Sequence, residues 1–494
     1  MNPVAYLLLT ILFPVLGGCL LGFGSLLGSS GNGRGVALLA TLGSCLSTIL
    51  AVYLGELFLP ERSISITLLQ NLHFIETPVG SSLTIRADVL SIFWVALISW
   101  GTFGILSGAT FSGPAVSRTE ATWGLFTLAS VQLTILSADL WWQFLFISLS
   151  SWFYCGVLFT QNSTQRSRLP MAYFASLCIA DMLWLIGIAG LSHMLEATSL
   201  SDCLNSERLK SLDEYERATI SLHCLWLIAS MLLRSSMFPF MGATKSITDR
   251  PRITLWVLLI PVSISTFLLL QYLPLWETET STRALVASLA SLSMIFLPLM
   301  TLTRNTQAHR LLRLSTAALS LTWIGLAAWP GQSVFCMAYA GCLLLLVMLI
   351  AVHLQNPQHF LTKLSAVFAL LIFGSGVHGQ DRIFRVVNMV IQQSPELNLP
   401  AALPTLVLIA HGCLCLGFLQ LIFFPDQKVR KLSLPITTPL WYTFSTSLFL
   451  ISLPWASLQL DQYSGSVLIP KWCLLVFVAT LVISRIFNLS TTST

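Results

Sequence analysis

Charge is what this sequence has least of. Lys and Arg number 25 and Asp and Glu 20 among 494 residues, 9% together, where a water-soluble domain carries about 25%. So little charge cannot clothe a soluble surface, and most of the exterior must face lipid. Metal and redox chemistry lack their spacings as well. The eleven cysteines are scattered, mostly in apolar runs, and none forms a CxxC pair. Cys413 and Cys415 fall on different faces of a helix. The plain reading of these thiols is small buried apolar side chains. There is no haem, iron–sulfur or zinc spacing, no phosphate-binding glycine loop and no dinucleotide fingerprint. No Ser/His/Asp or Cys/His nucleophile pattern stands out, and no apolar run holds paired carboxylates. Catalysis within the chain is therefore not expected, nor is a cofactor or a metal.

What is present is apolar length. Hydrophobic residues make up 55% and the mean hydropathy is +0.80. A helix needs about 20 apolar residues to cross a bilayer, and runs of that length recur from end to end. They lack the period-2 alternation of barrel strands, so they predict an all-α integral membrane protein with about fourteen or fifteen spans. The expected spans are 4–27, 35–59, 88–110, 120–138, 139–160, 170–194, 217–248 (broken), 253–275, 282–303, 311–329, 332–353, 361–378, 402–424, 438–457 and 470–488. The first begins at Val4 with no basic stretch before it and reads as a retained span, not a cleaved signal. Connections are short, so residues 1–494 form a single polytopic membrane domain. The alternation Ser63-Ile64-Ser65-Ile66-Thr67, then Ser82-Leu83-Thr84-Ile85-Arg86, predicts a surface β-hairpin. Residues 381–393 read as a short amphipathic surface helix.

Alternate connections differ in sign. One side gathers Arg34, Arg118, Arg166, Arg168, Lys245, Arg250, Arg252, Arg304, Arg310, Arg313, Lys363, Lys428, Arg430, Lys431 and Arg485. The other carries most acids, among them Glu56, Glu61, Glu207, Asp213, Glu214, Glu277 and Glu396. The positive-inside rule makes the basic side cytoplasmic, with the N-terminus outside and the C-terminus inside. The formal net charge of +5 is thus topological, and nucleic acid is not an expected partner.

Ionisable groups within apolar runs are costly and so are functional candidates. Arg234 lies in Leu232-Leu233-Arg234-Ser235-Ser236-Met237-Phe238-Pro239-Phe240. Pro239 removes a backbone donor and breaks the helix, and a cation beside a break is a known way to build an ion site. The alternative is a structural Arg that satisfies freed carbonyls or pairs with an acid. Asp181, in the sixth span, is its expected partner, since a paired buried charge is far cheaper than a lone one. His223 precedes Arg234 by about three turns, and His411 sits mid-span in Ala410-His411-Gly412. Each is either a hydrogen-bonded structural group or a proton relay. Asp88 and Asp139 begin spans and read as helix caps.

Several stretches, in order, resemble one family. Ala87-Asp88-Val89-Leu90-Ser91 resembles its VDGLS segment. Ser137-Ala138-Asp139-Leu140-Trp141-Trp142 through Ser148 resembles SDNLLxxFxGWE. Cys178-Ile179-Ala180-Asp181 with Leu185-Ile186-Gly187 resembles RVGDxxLLxG. Leu233 to Phe240 resembles GKSAQFPF, and His309 to Thr316 resembles KRVLAYST. Together they span about residues 85–350. The chain is similar to the antiporter-like membrane subunits of respiratory complex I, Mrp-type Na⁺/H⁺ antiporters and DAB-type inorganic-carbon uptake complexes.

The resemblance implies two inverted five-helix repeats, each with a broken helix, that conduct protons along a central axis of Glu, Lys and His. The first repeat would occupy about 120–250. A degenerate second would occupy about 253–424, with C-terminal helices at 425–494. Ser148 stands where the family has glutamate, and Arg234 where it has lysine. Residues 340–347 lack the family's His and Lys. The implied ion pathway is Asp181, Arg234, His223, His411 and Ser148, with Pro239 at the break. The implied partners are lipid and other subunits of a membrane complex. In the DAB-type case, the leading one, these include a cytoplasmic zinc-bearing, carbonic-anhydrase-like subunit, and the location is a bacterial inner membrane. A non-conducting scaffold of the same fold and an unrelated solute transporter remain open alternatives.

Overall fold

The computed structural model describes residues 3–26, 34–58, 64–72, 81–112, 117–161, 168–240, 251–277, 280–301 and 306–328, with isolated residues between 340 and 422. Long helices dominate, in the order α1 (Pro3–Leu26), α2 (Arg34–Phe58), α3 (Val89–Ser112), α4 (Arg118–Leu136), α5 (Leu140–Gln161), α6 (Arg168–Met194) and α9 (Glu214–Ser235). Two short helices, α7 (Leu200–Cys203) and α8 (Ser206–Ser211), fill the connection before α9. Next come α10 (Pro251–Val257), α11 (Ser263–Gln271), α12 (Leu273–Glu277), α13 (Thr280–Thr301) and α14 (Gln307–Ala328). Six of the described helical segments are long and apolar enough to cross a membrane. The expected spans from 4–27 to 311–329 fall on α1–α6, α9, α10–α12, α13 and α14, except that 241–248 of the broken span lies outside the described residues. The last five, the amphipathic stretch 381–393 and His411 lie outside the described residues, apart from isolated positions.

Starts are set by local polar chemistry. Asp88 and Ser91 cap α3 reciprocally, Asp88 accepting from the Ser91 amide at 2.7 Å and Ser91 Oγ from the Asp88 amide at 2.8 Å. Ser117 caps α4 through the Glu120 amide. Asp139 accepts from the Trp141 and Trp142 amides to open α5. Asp213 and Glu216 form a capping box on α9. Each satisfies donors that a helix start leaves orphaned.

The expected span 253–275 is interrupted. Pro261 lacks an amide hydrogen, and a π-turn at Leu258–Val262 absorbs the lost bond between α10 and α11. Residues 253–270 of this composite segment are all buried. It packs against α3, α4, α9 and α14, which explains why it is apolar on every face. Ser265 and Thr266 return their hydroxyls to carbonyls four residues back.

Around it, α1 packs on α2 and α4, α4 on α5, α5 on α6, and α6 on α9. Close approach depends on glycine where a ring crosses. A Cβ on Gly156 of α5 would lie 2.5 Å from the Trp123 ring of α4. Gly156→Ala is expected to destabilise by about 1–3 kcal/mol through overpacking, against about 1 kcal/mol of helix propensity gained. The midpoint of thermal unfolding in detergent measures the balance, and a higher midpoint would contradict the tight seat.

The expected hairpin is present. β1 (Ile64–Leu72) pairs antiparallel with β2 (Ser81–Ala87), with Ile64 opposite Ala87 and Ile66 opposite Ile85. It is tied to two further connections on the acidic side. The Ala138 amide donates to the Thr84 carbonyl, Leu140 to Thr198 and Leu200 to Ala138. Main-chain pairing therefore stitches the hairpin, the α4–α5 turn and the α6–α7 turn into one clasp. Beneath it, Cys203 is buried and its thiol donates to the Ala197 carbonyl at 3.4 Å. Burial first, then the nearby Asp202 carboxylate, pushes this thiol from its ordinary 9.0 up to about 12. The thiolate is the reactive form, so maleimide at neutral pH should leave Cys203 unmodified until the protein unfolds, as mass spectrometry can show. The unfolded thiol loses its proton first, so this site's contribution to stability falls as pH rises from 9 towards 12.

Candidate ion site

Helices α5, α6 and α9 converge on one buried polar node. Arg234 occupies the last turn of α9, where a cation also complements the negative helix end. Its Nη2 forms an ion pair with Asp181 Oδ1 of α6, and both side chains are at least 96% buried. Ser151 of α5 joins them, accepting from Arg234 Nη1 at 3.2 Å and lying 3.3 Å from Asp181 Oδ1. One residue before Asp181, the Ala180 carbonyl accepts from Ser230 Oγ of α9 at 2.6 Å, locking the two helices in register.

The break is built as a helix end, not a kink. Ser236 closes α9 in the left-handed conformation, φ 55°, and its amide returns to Leu232 and Leu233. The Met237 amide also reaches Leu232. Phe238 donates to Ser293 Oγ of α13 at 2.9 Å, and Pro239 follows through a cis bond. Arg234 is about 20 residues, or roughly 30 Å, from the start of α9, and it is buried among its neighbours.

Unpaired polar atoms flank the node on both sides. Ser148, one turn before Ser151 on α5, has a buried Oγ with no hydrogen-bond partner among the described residues. One turn after Ser151, Tyr154 meets Tyr173 of α6 edge-to-face, with ring centroids 6.2 Å apart. Both rings are fully buried and neither hydroxyl has a partner among the described residues. Tyr173 is also within electrostatic reach of Arg234.

The structure thus brings together Asp181 and Arg234, with Ser148 nearby and Pro239 just past the end. It does not bring His223 to them. That ring lies about 16 Å back along α9, over Gly190 of α6, where a Cβ would meet it at 2.1 Å. Its Nδ1 is buried without a partner among the described residues, and exposed His193 is its electrostatic neighbour. Asp88 and Asp139 serve as caps, as expected.

Ser151, Tyr154 and Tyr173 are not among the site residues expected from the sequence, and neither are two glutamine-centred clusters. Gln143 of α5 accepts from Tyr272 Oη at 2.6 Å and donates to Gln271 at 2.7 Å. Gln132 of α4 donates to Ser44 of α2 and Ser99 of α3. The signal was available: a fully buried Gln within an apolar helix needs a partner as much as an ionisable group does.

No family model matches the sequence, and no curated protein matches it. Solved structures do. A chain of the Mrp complex from Dietzia sp. DQ12-45-1b superposes with a TM-score of 0.71 at 11% identity, covering 98% of this chain and 99% of that one. This chain shares that chain's fold. A chain of the membrane-bound sulfane sulfur reductase, an archaeal respiratory membrane complex, superposes with the same TM-score at 12% identity, over 98% of this chain and 84% of that one. Identity this low carries the fold alone. Within that fold the chain is an integral, multi-pass membrane protein.

Proposed function

We propose that this chain is the ion-coupling subunit of a larger membrane complex, moving protons or Na⁺ past the Asp181–Arg234 node. The observation that carries the reading is a buried ion pair at the broken end of a helix, in an antiporter-like fold. Arginine keeps its charge under all working conditions, so Arg234 acts as a fixed charge. Asp181 is the member that can change state. A proton on its carboxylate cancels the attraction and frees the guanidinium to lean on Ser151 alone. Loss of that proton restores the pair. Ser148 on one side, and Tyr154 and Tyr173 on the other, offer hydroxyls for transfer to and from the node.

The finer reading places the chain in a DAB-type inorganic-carbon uptake complex in a bacterial inner membrane, with the basic side cytoplasmic. There a zinc-bearing, carbonic-anhydrase-like subunit would dock on the basic loops at 245–252 and 428–431. The ordered resemblance and the sign of those loops support it. A non-conducting scaffold is the second reading, favoured by serine at 148 and by an arginine that cannot cycle its own proton.

In the assembly reconstituted in vesicles, Asp181→Asn should abolish ion flux per folded, assembled complex, with the assembled amount measured alongside. Unchanged flux would remove Asp181 from the pathway. No flux in the wild type would favour the scaffold. What stays bound after mild detergent extraction reads the partner: a carbonic-anhydrase-like protein supports the DAB-type case, and redox subunits support a respiratory complex.

A further inference from the structure

The interior between α1, α2, α3 and α4 holds a second polar cluster, which shares no residue with the Arg234 node. Its centre is Gln132, fully buried on α4. The amide nitrogen donates to Ser44 Oγ at 2.7 Å and Ser99 Oγ at 2.9 Å, and these two oxygens are 3.4 Å apart. Thr48 Oγ1 lies 3.4 Å from Thr10 Oγ1.

Four of the hydroxyls have a carbonyl to donate to. Thr10 donates to Tyr6, Ser44 to Thr10, Thr48 to Ser44 and Ser99 to Val95, at 2.7–3.0 Å. Their lone pairs are therefore what the cluster offers its own interior. Two further buried oxygens, Gln132 Oε1 and Thr102 Oγ1, meet no partner among the described residues. Thr102 lies one turn along α3 from Ser99, on the same face. The cluster is rich in acceptors, and its donors are the Gln132 amide nitrogen and the Thr102 hydroxyl. Acceptors buried without donors are costly, by about 1–3 kcal/mol each.

Turning the Gln132 amide over exchanges its oxygen and nitrogen within the same volume. Oε1 then joins Ser44 Oγ, Ser99 Oγ and the Thr10 carbonyl, and the amide hydrogens turn to the side where Oε1 lay. The result is a nest of neutral oxygens drawn from four helices, the kind of shell that replaces water around a hard cation. We propose that this cluster binds one dehydrated Na⁺ ion through Gln132, Ser44, Ser99 and Thr10. The short oxygen spacing selects a small alkali ion over K⁺.

The test needs no transport, so its failure leaves the reading at Asp181 untouched. The full chain, purified in mild detergent, is heated in NaCl, KCl and choline chloride at equal ionic strength, and radiolabelled Na⁺ binding is measured in parallel. A ligand bound only by the folded state raises the unfolding midpoint. NaCl alone should raise it, and unlabelled Na⁺ but not K⁺ should displace the label. Ser44→Ala, Ser99→Ala and Gln132→Met should each weaken Na⁺ binding by roughly tenfold or more. The serine variants add no bulk, so the position of the site is read from whichever variants fold. Equal midpoints in all three salts would mean that the cluster takes water only, and would overturn the proposal. Na⁺ binding that survives in every folded variant would do the same.

Discussion

Asp181→Ala is expected to cost about 3–5 kcal/mol, and Arg234→Ala a similar amount, whereas Asp181→Leu with Arg234→Met together should recover most of the loss. Each single change strands its partner's charge or hydrogen-bonding atoms where water does not reach. Replacing both removes two desolvated ions at once, and buried pairs exchanged for apolar side chains of similar volume are often neutral or better. The two side chains have almost no exposure, so solvent cannot soften the single losses. Thermal unfolding followed by tryptophan fluorescence reads the result. Single variants as stable as the wild type would show that the pair is not buried as described. A double variant no better than the singles would mean that the node holds the helices by shape and not by charge. The same double variant should be inert in transport, which separates stability from ion movement.

The second large effect is expected at Gln143→Leu, a loss of roughly 3 kcal/mol. Three groups depend on this amide: the Tyr272 hydroxyl, the Gln271 side-chain oxygen and the Thr134 carbonyl, at 2.6, 2.7 and 3.3 Å. Leucine fits the volume but strands them, and an orphaned buried polar group costs about 1–3 kcal/mol. Tyr272 is fully buried and packs edge-to-face on Trp184 at 5.3 Å, so its hydroxyl cannot swing to water. Adding Tyr272→Phe removes one stranded donor and should restore about 1 kcal/mol. A cycle of the two substitutions in which the effects simply add would contradict the bond.

Much of the fold could be read in advance because its signals are local. Apolar run length marked the helices, alternation at Ile64 and Ile66 marked the hairpin, and Asp88 and Asp139 marked helix starts. Arg234 and Asp181 stood out because an ionisable group in an apolar run has so few explanations, and Pro239 announced the break. The rest depended on who faces whom. Ser151 looks like any serine that can satisfy its own helix, and its role follows only from the meeting of α5, α6 and α9. Tyr154 and Tyr173 are apolar by most of their surface. The π-turn at Pro261 is invisible to hydropathy, which does not distinguish a smooth helix from one with a wide turn. His223 and Arg234 share a helix, but three turns of separation keep them apart, and sequence proximity alone overstated their kinship.

The chain order of the ion pair bears on how the protein is made. Asp181 lies on α6 and Arg234 on α9, so during synthesis the acid enters the bilayer first. A carboxyl group can wait in lipid as its neutral, protonated form, whereas a guanidinium cannot shed its proton. Had the order been reversed, a bare cation would have had to wait in hydrocarbon for its counter-ion. As built, the carboxylate precedes the guanidinium in the chain, so the arginine can be paired as it enters.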